Sequence, residues 1–332
     1  MTGHGRSAGA GALCVLAASV LWGTTGTAAT FAPTVGPLAI GAAAMGLGGL
    51  LQALIAAPQI ARDAAGLREQ RGTVLLGAAS VAVYPLAFYS SMHLAGVAVG
   101  TVVSIDTAPL ASALIERVVD GRRLTRRWMS AATLGLFGTV LLCVAEAARA
   151  TDNTGRASTT GTLLGIGLGL IAAATYALYS WAAHRLISRQ IPSRAAMGAV
   201  FGTGGLLLLP VLALTGAPLV ASWSNAGVGV YMALVPMFAG YVLFGWGLAQ
   251  VSASTATTLS LLEPAVAAVL AVLVVGEHLP ATGWAGIALV ITCLAVLTTP
   301  TATRHSRNRP RNCADDNSNQ PVRKVADAAH RR

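Results

Sequence analysis

Ten apolar stretches, each long enough to cross a bilayer, leave this chain almost no soluble architecture to adopt. Windows of about 19 residues place them at 9–31, 36–56, 73–94, 97–116, 128–148, 161–183, 195–217, 226–250, 253–275 and 281–298. A hydrocarbon core takes about 20 helical residues per crossing. An open sheet edge cannot be satisfied there, and no alternating ten-residue barrel pattern is present. Of the 332 residues, 55% are hydrophobic and only 10% charged, against about 25% charged in ordinary soluble domains. The expected fold is therefore all-α, a polytopic membrane protein of ten transmembrane helices. Arg6 ahead of the first stretch also resembles a signal peptide, but the apolar run continues through Trp22, which favours a span.

The basic residues predict the orientation. In a ten-helix chain both termini and the loops after even-numbered helices share one side, and that side carries 20 of the 22 Lys and Arg. They are Arg6, Arg62, Arg68, Arg71, Arg117, Arg122, Arg123, Arg126, Arg127, Arg185, Arg189, Arg194 and eight in the tail; only Arg149 and Arg156 fall opposite. The positive-inside rule puts both termini in the cytoplasm of a cell (plasma or inner) membrane protein. The net charge of +10 is then topology and calls for no nucleic acid. Cys14, Cys143, Cys293 and Cys313 lie far apart, with no C-x-x-C and no His at ligand spacing, so neither a disulfide framework nor a metal site is expected.

The chain also repeats itself. An offset of 155 lays Pro109 on Pro264, Gly121 on Gly276 and Leu124 on Leu279. Two five-helix halves follow, 9–148 and 161–298, joined by an extracytoplasmic linker at 149–160 and followed by a basic tail at 299–332 too polar to pack. Five is odd, so the second half enters from the opposite side, giving inverted-topology repeats with a substrate site near the midplane between them.

Several strings carry a resemblance. They are Leu21-Trp22-Gly23-Thr24-Thr25-Gly26 in helix 1, Tyr176-Ala177-Leu178-Tyr179 in helix 6, and Leu262-Glu263-Pro264 running through Gly276-Glu277-His278-Leu279 to Gly286. In order along ten helices they resemble the EamA-type branch of the drug/metabolite transporter superfamily, over about residues 10 to 298. Arg122 stands where that pattern has an acid, Met45 where relatives often have arginine, and Asp106 where small residues are usual. The resemblance implies a transporter, with export as the expected direction.

Asp106 and Glu263 fall in the interior of their spans, and a carboxylate at mid-bilayer costs roughly 3 kcal/mol on insertion scales. At about 100° per residue, Ser252, Ala256, Leu259, Ser260 and Ala267 share the face of Glu263, a small, weakly polar stripe. The repeat maps this stripe onto Thr101, Ser104, Ala108 and Ser112. Glu263 is thus a candidate proton carrier or partner for a cationic substrate group. Asp106 lies about 160° from that face and reads either as a site residue or as a cap for the helix restarting at Pro109. Pro109 and Pro264 are expected helix breaks. Trp22, Tyr84 with Pro85, Tyr89, Tyr176, Tyr179, Tyr241 and Trp246 are substrate-binding candidates or packing and interfacial anchors. Glu277 and His278 read as loop or capping residues. Gly161, Gly165 and Gly169 form a face for close helix packing or, second, a homodimer contact.

The expected function is secondary transport of a small polar metabolite, such as an amino acid or related amine or carboxylate, by alternating access. No G-x-x-x-x-G-K-[ST] phosphate loop exists in the sequence, so ATP hydrolysis and cofactors are not expected, and proton coupling or exchange remains. The alternatives are a nucleotide sugar or hydrophobic drug as substrate, a membrane-embedded enzyme, or an assembly subunit. An enzyme would need clustered titratable groups, whereas His4, His93, His184, His278, His305 and His330 are scattered.

Overall fold

The computed structural model describes residues 3–150, 159–275 and 280–299. Most of the linker, the Gly276-Glu277-His278-Leu279 run and the tail from residue 300 lie outside the described residues. Among those described every regular element is helical, as a chain rich in apolar windows with no alternating pattern requires.

We number the helical stretches α1 to α10. α1 is Gly3–Gly23, extended past a bend at Thr24 by Thr25–Ala29. α2 is Pro37–Arg62, α3 Arg71–Ala95 and α5 Arg126–Ala150. Between them α4 consists of Val97–Thr101, a π-helical turn Val102–Asp106, and Thr107–Val119. α6 is Thr159–Ser188 and α7 Ser193–Thr215. α8 is Trp223–Met232, a π turn Ala233–Ala239, and Gly240–Leu248. α9 is split into Ala253–Leu259 and Leu262–Leu270, with a π turn Ala271–Val275 following, and α10 is Ala281–Thr298.

Among the described residues eight stretches, all but α4 and α5, are long and apolar enough to cross a membrane, against the ten expected. α4 contains a π turn and carries Asp106, Glu116 and Arg117, and α5 opens on Arg126 and Arg127. Several helices run past their expected ends, α2 to Arg62 and α6 to Ser188.

Small residues set the packing. α2 and α7 lie antiparallel and in extensive contact: a Cβ on Gly198 would meet Ala56 Cβ at 2.5 Å, and one on Gly205 the Gly46 carbonyl at 2.7 Å. α5 and α10 are antiparallel in the same way, a Cβ on Gly138 reaching the Gly286 carbonyl at 2.8 Å. α3 packs on α6, α1 on α8, and α4 on both α6 and α9. The glycine face of α6 is used inside the chain, Gly165 against Ala95 and Gly169 against Val103. Gly96, at φ +87°, is the single residue joining α3 to α4, a backbone conformation that side chains rarely adopt.

Serine and threonine hydroxyls mostly bond to the carbonyl three or four residues back, as at Ser19, Thr24, Ser80 and Thr139, so a hydroxyl in these helices is seldom free for substrate.

Candidate functional site

Proline chemistry builds the central site. Pro264 has no N–H to donate and its ring crowds the carbonyl of Ser260. α9 therefore breaks at Ser260 and Leu261, and tighter bonds fill in: Leu261 N–H donates to the Thr258 carbonyl at 3.2 Å and Glu263 N–H to the Ser260 carbonyl at 2.9 Å. Glu263 thus stands in the first turn of a new half-helix, where the exposed N–H groups favour negative charge. In α8 the π turn contains Pro236, whose carbonyl accepts from Trp22 Nε1 at 2.9 Å. The indole reaches it because residue 240 is glycine; a Cβ there would fall 2.7 Å from Trp22 Nε1.

These irregular segments meet at one cavity. It is lined by Trp22 and Thr25 of α1, Gly41, Ala44 and Met45 of α2, Tyr84, Pro85, Phe88 and Tyr89 of α3, Tyr176 of α6, Met237 and Tyr241 of α8, and Glu263 of α9. Its volume is about 20 Å³, room for roughly one water, so this conformation is tightly closed around the acid. The aromatics form one continuous cluster: Trp22 lies 4.8 Å from Tyr241, Tyr84 5.6 Å from Tyr176, and Phe88 5.2 Å from Tyr89, between ring centroids. Two hydrogen bonds fix it. Tyr176 donates to Ser260 Oγ at 2.8 Å, and the Tyr179 and Tyr241 hydroxyls are paired at 2.8 Å. Glu263 has no salt-bridge partner among the described residues.

Six of the residues singled out from sequence, Trp22, Tyr84, Tyr89, Tyr176, Tyr241 and Glu263, therefore share one cavity. Tyr179 stands behind it, fully buried, and acts on it through Tyr241; Ser260 holds Tyr176. Trp246 is elsewhere, 42% exposed and lining a second cavity between α2, α7 and α8. Asp106 is also outside the central cavity. The cap expected of it is absent: its side chain makes no capping bond, because the π turn keeps the helix continuous and leaves no fresh helix start to cap. It is 3% exposed, neither carboxylate oxygen has a hydrogen-bond partner among the described residues, and the Thr139 hydroxyl of α5 faces it. Glu277 and His278 lie outside the described residues.

Sequence reasoning missed Met237 and Phe88, which look like ordinary apolar residues, and Glu116, which closes a polar cluster at one end of the bundle. Glu116 is 2% exposed and accepts from Ser254 N–H at 3.1 Å and Ser254 Oγ at 2.7 Å, so the end of α4 caps the start of α9. Beside it Asp120 accepts from Trp181 Nε1 at 2.8 Å and pairs with Arg185 at 3.1 Å. Arg127 donates to the Val296, Leu297 and Thr299 carbonyls at the end of α10. The signal was there in part, since a stripe starting at Ser252 was legible, but its partner lies 138 residues away.

Residues 9–144 and 163–299 match the EamA-like transporter family. The chain is 34% identical over 286 residues to the uncharacterized transporter YwfM of Bacillus subtilis (strain 168), covering 86% of this chain and 92% of that one. It is 26% identical to a probable terminal-alkyne amino-acid exporter of Streptantibioticus cattleyicolor, covering 82% and 90% of the two chains. It is 28% identical to the threonine/homoserine exporter RhtA of Escherichia coli (strain K12), covering 80% and 83%. A solved crystal structure superposes with a TM-score of 0.68 at 22% identity, over 86% of this chain and 95% of the other, which shows a shared fold.

Proposed function

Because the chain belongs to the EamA-like transporter family and is a multi-pass membrane protein, we propose that it exports a small zwitterionic metabolite of the amino-acid class by alternating access. The observation that carries this reading is the lone carboxylate of Glu263 at a helix break, facing a box of aromatic rings. A substrate ammonium would sit against Glu263 and over the ring faces of Trp22 or Tyr241. Its carboxylate would accept from the tyrosine hydroxyls. Two of the relatives are named as amino-acid exporters, which supports the same class. In this reading Glu263 holds either the substrate ammonium or a proton, and exchange between the two couples their movement.

The proposal includes ten spans in two inverted halves in the cell membrane, with α4 and α5 as the fourth and fifth. Three observations support it. The family match itself falls into two blocks, 9–144 and 163–299. A two-fold axis that exchanges α1–α5 with α6–α10 would turn the α3–α6 contact into α8–α1 and the α4–α6 contact into α9–α1, and both pairs are in contact. The self-related pairs α2–α7 and α5–α10 run antiparallel, as an axis in the membrane plane requires. The basic end, where α4, α6 and α10 finish and α9 starts, is then cytoplasmic.

An aromatic lining with one acid also suits a hydrophobic amine, the second reading. Purified protein in liposomes with a panel of labelled amino acids separates them. The proposal expects counterflow of at least one amino acid, blocked by Glu263→Gln; flux restricted to hydrophobic amines would favour the second reading. If Glu263→Gln left uptake and its pH dependence unchanged, the role of this carboxylate would be wrong.

A further inference from the structure

A second cavity, of about 210 Å³, opens between α2, α7 and α8 and shares no lining residue with the central one. Its walls include Met197, Phe238 and Val242, and it is flanked by Ile55, 53% exposed, and Trp246, 42% exposed, so its mouth faces the lipid side of the bundle. At one edge stand Ser193 and Arg194, the first two residues of α7. That helix follows Pro192 and no side chain caps its first turn, which leaves backbone N–H groups open to an anion. At the inner wall is Gln52, only 4% exposed, whose amide nitrogen and oxygen both lack a hydrogen-bond partner among the described residues. A buried amide with neither atom satisfied costs free energy and is explained when the cavity has a polar-headed occupant.

We propose that this cavity binds an anionic phospholipid. The phosphate takes the N–H groups at the start of α7, the Ser193 hydroxyl and the Arg194 guanidinium. A glycerol-ester carbonyl or headgroup hydroxyl bonds the Gln52 amide, and an acyl chain passes between Ile55 and Trp246 into the bilayer. Among the described residues no acidic side chain lines the cavity, so the field favours net negative headgroups over zwitterionic ones. A lipid, and not a free anion, is the occupant because the mouth is apolar and exposed on the bilayer side.

The test uses the full chain purified in detergent, with native mass spectrometry against phosphatidylglycerol and phosphatidylcholine. Phosphatidylglycerol should be retained in preference, and Arg194→Gln should cut that preference about fivefold, the effect of one basic residue near a charged surface. Gln52→Leu should lower binding of both lipids without lowering the melting temperature. Brominated phosphatidylglycerol should quench tryptophan fluorescence, and Trp246→Phe should remove the quenching. Should Arg194→Gln fail to accumulate, Ser193→Ala and Gln52→Leu carry the test. Equal retention of the two lipids, a preference that survives Arg194→Gln, or displacement of the lipid by millimolar inorganic phosphate would each overturn the proposal.

Discussion

Ser254→Ala tests whether the bonds between Glu116 and the start of α9 hold the basic end of the transporter shut. The substitution removes the 2.7 Å hydroxyl bond to Glu116 and keeps the 3.1 Å backbone one. A hydrogen bond to a charged acceptor contributes about 1.5–3 kcal/mol, and each 1.4 kcal/mol is a factor of ten. If the bond exists when this end is closed and not when it is open, the closed form should lose about 10- to 150-fold in the opening equilibrium. The reporter is a cysteine at Ser112, one turn before Glu116 on α4, fully buried and with an unpartnered hydroxyl, in a background lacking Cys14, Cys143, Cys293 and Cys313. Its alkylation by a permeant maleimide should accelerate within that range in Ser254→Ala, and Glu116→Gln should act in the same direction. An unchanged alkylation rate accompanied by a lower melting temperature would show that the contact is a static brace, and the gating argument would fail.

Three further outcomes follow from the same geometry. Gly240→Ala puts a methyl 2.7 Å from Trp22 Nε1, so it should strain or break the bond to the Pro236 carbonyl, cost about 1–3 kcal/mol of stability, and reduce transport at least tenfold; wild-type flux at normal expression would remove Trp22 from the site. A single cysteine replacing Asn153 should react with an impermeant thiol reagent added outside intact cells and one replacing Arg122 should not, with the reverse pattern inverting the proposed orientation. Truncation after Pro300 should leave membrane insertion and flux within about twofold, because no apolar window is lost, and a silent but well-expressed truncation would make the tail a functional element.

What could be read in advance follows from how local each cause is. A window of apolar residues marks a helix by itself, so the positions of the long helices were legible, and Pro264 announced the break beside Glu263. The faces were harder. Tyr241 and Trp246 are five residues, about 140°, apart on the one α-helical segment Gly240–Leu248, so they face different ways, and only the packed bundle shows that Tyr241 is the one at the cavity and Trp246 the one on the outer surface. Glu116 was passed over because it ends a span, where a charge is ordinary. Its surroundings include Ser254 of α9, 138 residues away, which no local pattern encodes. The close pairing of α2 with α7 depends on glycines facing glycines across some 150 residues, information that only the assembled fold contains.

Asp106 brings the repeat and the chemistry into conflict, and the conflict can be resolved. The break in α9 at Ser260 and Leu261 maps, at an offset of 155, onto Ile105 and Asp106 at the end of the π turn in α4. α4 and α9 are thus each interrupted three to four residues before the matching proline. The two acids occupy different positions around that interruption. Glu263 maps onto Ala108, and Asp106 maps onto Leu261, which is fully buried beside Ile105 and Ala172. Asp106 therefore stands where α9 packs an apolar side chain, away from the aromatic box, with neither oxygen bonded among the described residues. An unpartnered buried carboxylate costs several kcal/mol if charged, so replacing it with a neutral group of equal size should not destabilise the protein. Asp106→Asn should keep or raise the melting temperature and leave counterflow within about threefold of wild type, whereas Glu263→Gln should abolish it. If Asp106→Asn kept the fold and lost the flux, the coupling step would belong to α4, and the carboxylate outside the cavity would be the one that transport requires.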